Sequence, residues 1–257
     1  MYYCSMIYAR LNEVFASIQG EGIHIGERHI FVRFQGCNMR CCFCDTPAAI
    51  AAIDNPAGQV LCSIQVSREL HGAREQIPNP VSVSRLIELC SRLVVHGPGR
   101  PILSLTGGEP LLQLEFLTHW LPQVGNDFRI YLETNGVQVD AMKKISSAVD
   151  VVSMDFKLPS ATGLRAFWDE HRRFLLAAAE TDLFVKAVVT RVTRREDILI
   201  SARLIADINK SIPFVLQPAD GNLKPSSQML VEFQDTALGT IEDIRVIPQT
   251  HKILDVP

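Results

Sequence analysis

The sequence predicts an α/β fold whose strands form a parallel or barrel-like sheet. Two features indicate this fold: short apolar runs alternate with segments of helical periodicity, and polar residues or glycines follow the ends of several runs. Alternation of strands and helices is typical of parallel sheets joined by crossover helices. Buried strands are predicted over residues 29–34, 101–106, 129–133, 150–155, 183–189, 213–217 and 244–247.

Helical periodicity is clearest in residues 84–95, where Leu86, Leu89, Cys90 and Leu93 fall on one face. Helices are also predicted over 140–148 and 195–209. We interpret 47–80, which is interrupted by Pro, Gly and Asn, as a long irregular insertion with room for some local structure. The chain of 257 residues otherwise fits a single domain, 1–257.

Composition excludes several classes of protein. The net charge of −3 demands no broad basic surface, so nucleic acid is not a favoured partner. No apolar run approaches the roughly 20 residues of a membrane span, and the N-terminus lacks the pattern of a signal peptide. We therefore expect a cytoplasmic protein that does not insert into a membrane.

Polar residues and glycines follow five of the predicted strands. For any one strand a solvated loop is the better explanation. Five together favour a shared site, because the carboxyl ends of parallel strands lie on one face of the sheet. The five segments begin at Thr106, Glu133, Ser153, Gln217 and Pro248.

Cys37, Cys41 and Cys44 form a C-x3-C-x2-C motif. Three thiolates can bind three irons of a cubane cluster and leave the fourth iron open, as a catalytic metal requires. The alternative is a zinc site completed by Cys42 or a remote histidine. We expect the Cys42 side chain to point away, and we interpret Cys4, Cys62 and Cys90 as ordinary thiols.

The cysteine motif resembles the cluster motif of the radical S-adenosylmethionine superfamily. Gly108 and Glu109 resemble the superfamily's motif for the amino group of S-adenosylmethionine, where a carboxylate suits the ammonium. The resemblance implies a radical SAM core, which is a partial (incomplete) β/α TIM-like barrel of about six parallel strands. It also implies a 4Fe–4S cluster and reductive cleavage of S-adenosylmethionine to a 5′-deoxyadenosyl radical.

Three further motifs narrow the resemblance to the 7-carboxy-7-deazaguanine synthase family. They are Ser-Ile-Gln-Gly-Glu-Gly at 17–22, Cys-Asp-Thr at 44–46 and Gln-Thr-His-Lys at 249–252. The similarity runs from about residue 13 to 257, and 47–80 is the least matched part. This family of radical SAM lyases converts 6-carboxy-5,6,7,8-tetrahydropterin to 7-carboxy-7-deazaguanine by hydrogen abstraction at C6, ring contraction and loss of ammonia.

The family acts in the pathway to 7-deazapurines such as queuosine, a modified tRNA nucleoside. The resemblance implies Mg²⁺, a homodimer and an electron donor such as a flavodoxin or ferredoxin. It implies substrate contacts by Ile18, Gln19, Gly20, Glu21, Arg33, Thr106, His251 and Pro257, and a Mg²⁺ contact by Thr46. It implies S-adenosylmethionine contacts by Phe43, Cys44, Asp45, Gly108, Glu109, Ser153, Asp155, Lys157, Gln217, Pro218, Ala219 and Asp220.

The chemistry of these residue types suits the implied roles. Gln19 and Glu21 offer an amide and a carboxylate to the donors and acceptors of a pterin edge, and Arg33 offers a planar fork to a carboxylate. Arg33 could instead form a surface ion pair, and the residues around His251 could be a packed or frayed tail. The alternative functions are a glycyl-radical-enzyme activating protein and a non-catalytic zinc or Fe–S module.

Overall fold

The computed structural model describes residues 7–47 and 61–257. The strands in these residues are β1 Tyr8–Ala9, β2 Leu11–Ile18, β3 Arg28–Phe34, β4 Cys62–Gln65, β5 Arg74–Ile77, β6 Val81–Ser82, β7 Ile102–Gly107, β8 Arg129–Thr134, β9 Val151–Asp155, β10 Asp182–Val189, β11 Phe214–Pro218 and β12 Ile244–Val246. The α-helices are α1 Val83–Leu93, α2 Leu114–Val124, α3 Val139–Ile145, α4 Pro159–Thr162, α5 Trp168–Ala178, α6 Arg195–Ala206, α7 Ser227–Leu238 and α8 Thr250–Leu254.

One ten-stranded sheet has the order β12-β11-β10-β9-β8-β7-β3-β2-β4-β5. The seven strands from β12 to β3 pair in parallel, whereas β2 pairs antiparallel to β3 and β5 antiparallel to β4. Within the described residues, the outer strands β12 and β5 do not pair with each other. The sheet is therefore a partial barrel, and the predicted fold class is confirmed.

The sheet curves enough to bring the loop after β2 against β10. A short 3-10 helix, Gly22–His24, follows β2, and a Cβ added to Gly22 would lie 2.5 Å from the ring of Phe184. His24 also packs on Tyr131, with ring centroids 5.5 Å apart. This inner layer is apolar and is completed by Val151 and Val215. It fills one end of the barrel interior and leaves the other end, where the parallel strands finish, open for a site.

The outer face of the parallel strands packs on the helices. The predicted helical face of Leu86, Leu89, Cys90 and Leu93 is buried on α1, which begins one residue before its predicted start. Ser82 caps this helix, because its side chain accepts a hydrogen bond from the backbone of Arg85. All seven predicted strands are present, with ends shifted by one residue or less.

The sequence analysis did not predict β2 or the strand pair β4–β5. The burial of β2 does not alternate along the strand, so its side chains give no two-residue period. The pair β4–β5 lies inside the segment that we interpreted as irregular, and it extends the sheet beyond β2. Cys4 and residues 48–60 lie outside the described residues. The single-domain assignment stays a prediction.

Among the described helices, none combines the length and the apolar character that crossing a bilayer requires.

Candidate active site at the carboxyl ends of the parallel strands

A cavity of about 570 Å³ lies at the carboxyl ends of the parallel strands. Its wall combines these strand ends with the cysteine loop after β3, the loop after β2 and the C-terminal segment. Every residue singled out from the sequence as a site residue lines this cavity, with the exception of Glu109. The five predicted strand-end segments thus meet at one place, but their individual roles stay predictions.

The cysteine loop turns the three motif thiols toward the cavity. Cys37, Cys41 and Cys44 are half-buried and line it, and the Cys44 backbone N–H donates to the Cys41 carbonyl at 3.2 Å. Cys42 is exposed, and its thiol lies 3.1 Å from the carbonyl oxygen of Ala161 on α4. The expectation that Cys42 points away from its neighbours agrees with this geometry.

The thiols fit a cluster better than a zinc ion. Within 7–47 and 61–257, no three side chains of His, Cys, Asp or Glu converge as ligands of one metal ion. Zinc needs four ligands at roughly 2.0–2.3 Å from one point. A cubane binds each thiolate to a different iron, so its three sulfurs do not have to converge. Burial raises the pKa of the Cys37 thiol, and it raises the pKa of the Cys41 thiol to about 11. A bound cation would therefore stabilise the thiolates.

The loop after β7 is locked against the cysteine loop through its backbone. The Glu109 N–H donates to the Gly36 carbonyl at 2.7 Å, and the Gly108 N–H donates to that of Phe34 at 3.1 Å. A Cβ added to Gly108 would lie 2.0 Å from the Gly36 oxygen. Only glycine allows this approach, so the two loops hold their relative position.

Glu109 is buried behind the cavity wall. Its side chain is fully buried, and its carboxylate accepts hydrogen bonds from the backbone of Leu111 and Asn135 and from the Thr134 hydroxyl, at 2.8–3.1 Å. Burial raises the pKa of Glu109 to about 7, and these hydrogen bonds oppose the rise. The carboxylate therefore ties the loop after β7 to the loop after β8, and its contact with S-adenosylmethionine stays a prediction.

The predicted cofactor residues on β9 and β11 include two buried oxygens that lack partners. In the described part of the chain, Asp155 Oδ1 and Gln217 Oε1 have no hydrogen-bond partner. The other carboxylate oxygen of Asp155 pairs with Lys157 Nζ at 2.9 Å, and that ammonium lies 5.7 Å from the ring centroid of Phe43. Buried polar atoms are normally hydrogen-bonded, so these two oxygens fit a ligand rich in donors, such as S-adenosylmethionine.

The predicted substrate residues near β2 are hydrogen-bonded to three residues that were given no individual site role from the sequence. Glu133 accepts from Gln19 Nε2 at 2.9 Å and from the Thr106 hydroxyl at 2.7 Å. Glu21 forms an ion pair with Lys186 and accepts from Gln249 Nε2 at 2.6 Å. Glu133, Lys186 and Gln249 therefore brace the side of the cavity that the predicted substrate residues line.

Lys186 controls the charge state of Glu21. Burial alone would raise the pKa of Glu21, but Lys186 and the Gln249 amide outweigh it and lower the pKa to about 2. Burial would lower the pKa of Lys186, but Glu21 and Asp155 raise it above its usual range. Both groups are thus charged near neutrality. A lysine inside the apolar run 183–189 was a signal that could have identified this pair from the sequence.

Arg33 forms an ion pair and also lines the cavity, and its contact with the substrate stays a prediction. Its Nε donates to Glu13 at 2.8 Å, as in the ion-pair alternative, yet the side chain still lines the cavity. The C-terminal segment closes the wall beside it. The Ser17 hydroxyl donates to the Pro257 oxygen at 2.7 Å, and the Thr250 N–H donates to the Gly20 carbonyl at 2.8 Å. The segment is therefore packed rather than frayed.

Comparisons with known proteins agree with this site. The sequence model of the Radical SAM superfamily matches residues 31–192. A 7-carboxy-7-deazaguanine synthase of Geobacter sulfurreducens is 40% identical over 252 residues, which cover 96% of this chain and 97% of the relative. One from Methanopyrus kandleri is 34% identical and covers 95% and 92%.

A solved structure, described as the crystal structure of QueE from Escherichia coli, has the same fold. It superposes with a TM-score of 0.61 at 22% identity and covers 95% of each chain. The superfamily match and the two relatives confirm the resemblance stated from the motifs. The chain therefore belongs to the radical S-adenosylmethionine superfamily and, within it, to the 7-carboxy-7-deazaguanine synthase family.

Proposed function

We propose that the protein converts 6-carboxy-5,6,7,8-tetrahydropterin to 7-carboxy-7-deazaguanine on the pathway to 7-deazapurines such as queuosine. One observation carries the proposal: motif residues from distant parts of the chain line a single cavity. Gln19 and Pro257, for example, come from opposite ends of the chain and both line it. Relatives over nearly the full length bear the name of this activity.

Membership of the superfamily implies a 4Fe–4S cluster and S-adenosylmethionine. Cys37, Cys41 and Cys44 would hold the cluster, which when bound supplies the electron that cleaves S-adenosylmethionine and so yields the radical that abstracts hydrogen from C6. The strand-end segments 153–157 and 217–220 would orient the cofactor. The unpartnered oxygens of Asp155 and Gln217 support this assignment, because the cofactor carries amino and hydroxyl donors.

The half of the cavity that Gln19, Glu21 and Arg33 line, the substrate half, recognises the substrate through charge and shape. Glu21, which Lys186 keeps ionised, can accept from the N–H groups of the aminopyrimidinone ring, and the Gln19 amide can complete the pattern. Arg33 can bind the carboxylate of the substrate with its planar fork. These groups are held before the substrate arrives, so binding orders few additional side chains.

The Mg²⁺ assignment depends on Thr46, which lines the cavity with its hydroxyl 3.9 Å from the Cys44 sulfur. One hydroxyl is a weak ligand, so Mg²⁺ would take water and substrate oxygens as its other ligands. The flavodoxin or ferredoxin donor, the homodimer and the cytoplasmic location also stay predictions.

A product assay tests the proposal. Anaerobically reconstituted protein with S-adenosylmethionine, a reductant and the carboxypterin should release 7-carboxy-7-deazaguanine, identified by mass spectrometry. A cubane signal that changes when S-adenosylmethionine is added would establish the first half of the chemistry independently. Cleavage of S-adenosylmethionine without this product would contradict the proposed substrate. Zinc binding without iron uptake would support the non-catalytic module.

A further inference from the structure

The strand pair β4–β5 places one side chain near the predicted substrate residues. The sequence of the segment that contains this pair indicates no function. Strand β4 pairs with β2 through Glu13↔Ser63 and Val14↔Ile64, and β5 pairs with β4. The buried side chain of Gln65 accepts from the Ala16 N–H at 2.7 Å and so fastens the strand pair to β2. Arg74, directly opposite Gln65, is therefore held on a fixed element.

Arg74 and Arg33 share the carboxylate of Glu13. Arg33 Nε lies 2.8 Å from Glu13 Oε1, and Arg74 Nη1 lies 2.7 Å from Oε2. The side chains are only 22% exposed for Arg33, 24% for Glu13 and 33% for Arg74. Each Glu13 oxygen thus bonds to a different guanidinium. Glu13 therefore does not form the bidentate pair that one Arg and one carboxylate typically form.

The same two guanidinium groups flank an aromatic wall of the cavity. They lie 5.9 Å (Arg33) and 5.4 Å (Arg74) from the centre of the Phe15 ring, which is itself stacked on Phe31 at 5.1 Å. Phe15, Phe31 and Arg33 line the cavity, whereas Arg74 lies behind them. Arg74 therefore acts on the site through its neighbours.

Arg33, Arg74 and Glu13 together carry a net charge of one positive unit beside the cavity wall. Two guanidinium cations share one carboxylate, and within residues 7–47 and 61–257 the η nitrogens of Arg33 donate no hydrogen bond. Without Arg74, both Glu13 oxygens could bond to Arg33. Glu13 would then neutralise the Arg33 guanidinium and occupy its nitrogens. The cation available to a substrate carboxylate therefore depends on the second arginine.

We propose that Arg74 is a positioning residue that draws one Glu13 oxygen away from Arg33 and so keeps the Arg33 fork open for the pterin carboxylate. The inference rests on the proposed function. It assigns to the strand pair β4–β5 a part in selecting 6-carboxylated pterins over pterins that lack the carboxylate.

A binding experiment tests this without turnover. The probes are 6-carboxypterin, a stable fluorescent analogue, and pterin without the carboxylate, titrated into the reconstituted holoenzyme with S-adenosylmethionine bound. For Arg74→Met we expect the affinity for 6-carboxypterin to fall about tenfold, because Glu13 then neutralises Arg33, and the affinity for pterin to stay unchanged. In turnover the change should appear in KM rather than in kcat.

A second substitution separates positioning from a structural role. The double variant Arg74→Met/Glu13→Gln should recover most of the lost affinity, because no carboxylate remains to neutralise Arg33. Arg74→Lys should retain affinity, since an ammonium can hold Glu13 Oε2 from the same side. Glu75→Gln, whose side chain points to the opposite face of β5, is the matched control and should behave as wild type.

The outcomes are distinct. Equal affinity of wild type and Arg74→Met for 6-carboxypterin would overturn the inference, as would an equal loss for both probes or no recovery in the double variant. Failure of the wild type to bind 6-carboxypterin or to form product would instead refute the proposed function, and the inference with it. If Arg74→Met does not fold, Arg74→Gln, which also removes the cation, gives the same comparison.

Discussion

The two halves of the cavity wall are built differently. On the substrate half, the polar side chains already bond to one another, as in Glu133 with Gln19 and Thr106 and in Glu21 with Lys186. On the cofactor half, the buried oxygens of Asp155 and Gln217 have no partner among the described residues. The substrate half is thus organised by the protein, whereas the cofactor half is completed by what it binds.

This difference has a thermodynamic consequence. A pre-organised half loses little conformational entropy on binding, so removing one of its contacts should reduce turnover only in part. A half that depends on a bound group loses its function completely when that group cannot bind. The predictions below test this contrast, beginning with the largest effect.

Replacing Cys37, Cys41 or Cys44 by alanine should abolish both iron uptake and turnover, a loss of at least about a thousandfold, because the bound group supplies the radical chemistry. Iron analysis and the product assay measure the two effects. Cys42→Ala is the matched control, since its thiol faces Ala161 and not the cavity. Full iron content and turnover in any of the three variants would contradict the difference between the two halves of the cavity and the assignment of this motif to the cluster.

Lys186→Met should lower kcat/KM for the carboxypterin by about 10- to 100-fold, because it leaves the buried Glu21 without its cation. The iron content should stay unchanged. The pH profile gives a second readout. Wild-type Glu21, with its pKa lowered to about 2, is ionised throughout the neutral range.

In Lys186→Met, burial should raise the pKa of Glu21. The carboxylate then binds a proton as the pH falls, so kcat/KM should decline between about pH 8 and pH 6 relative to wild type. Lys186→Arg keeps the charge and should keep the wild-type profile. A flat profile in Lys186→Met would show that Lys186 does not control the charge of Glu21.

Removing Val256 and Pro257 should weaken pterin turnover by about tenfold or less while the cluster stays intact, because only one part of the braced half is lost. Ser17→Ala removes the hydroxyl that donates to Pro257 and should give a smaller effect in the same direction. Steady-state kinetics with the carboxypterin measure both. Unchanged kinetics in the truncated protein would exclude a substrate role for this segment.

The same contrast explains what the sequence could and could not reveal. The cofactor half consists of segments that directly follow parallel strands, and the position of such segments follows from chain order alone. On the substrate half, Glu133 and Gln249 also lie at or after the ends of parallel strands, but their partners, like those of Lys186 and Arg74, come from other segments and are set by tertiary contacts. Chain order does not predict those contacts.

Glu109 illustrates the limit within one motif. Its position in Gly-Gly-Glu-Pro predicts an ammonium partner, and the structure adds the backbone donors of Leu111 and Asn135, which the motif does not reveal. The Asn135 donor lies 26 positions further along the chain, in the loop after another strand. Similarly, β2 gave no alternating pattern, because its burial does not follow a two-residue period.

The open sheet has one further consequence. The segment after β12 forms hydrogen bonds with Gly20 and Ser17, which lie at the end of β2 beside β3, the other outermost parallel strand. It therefore forms the part of the cavity wall that strands would form in a closed barrel. Strand pairing does not dictate the sequence of this wall. Mutation can therefore reshape it without disturbing the sheet, which makes it the natural place for evolution or protein engineering to change which ring system the enzyme accepts.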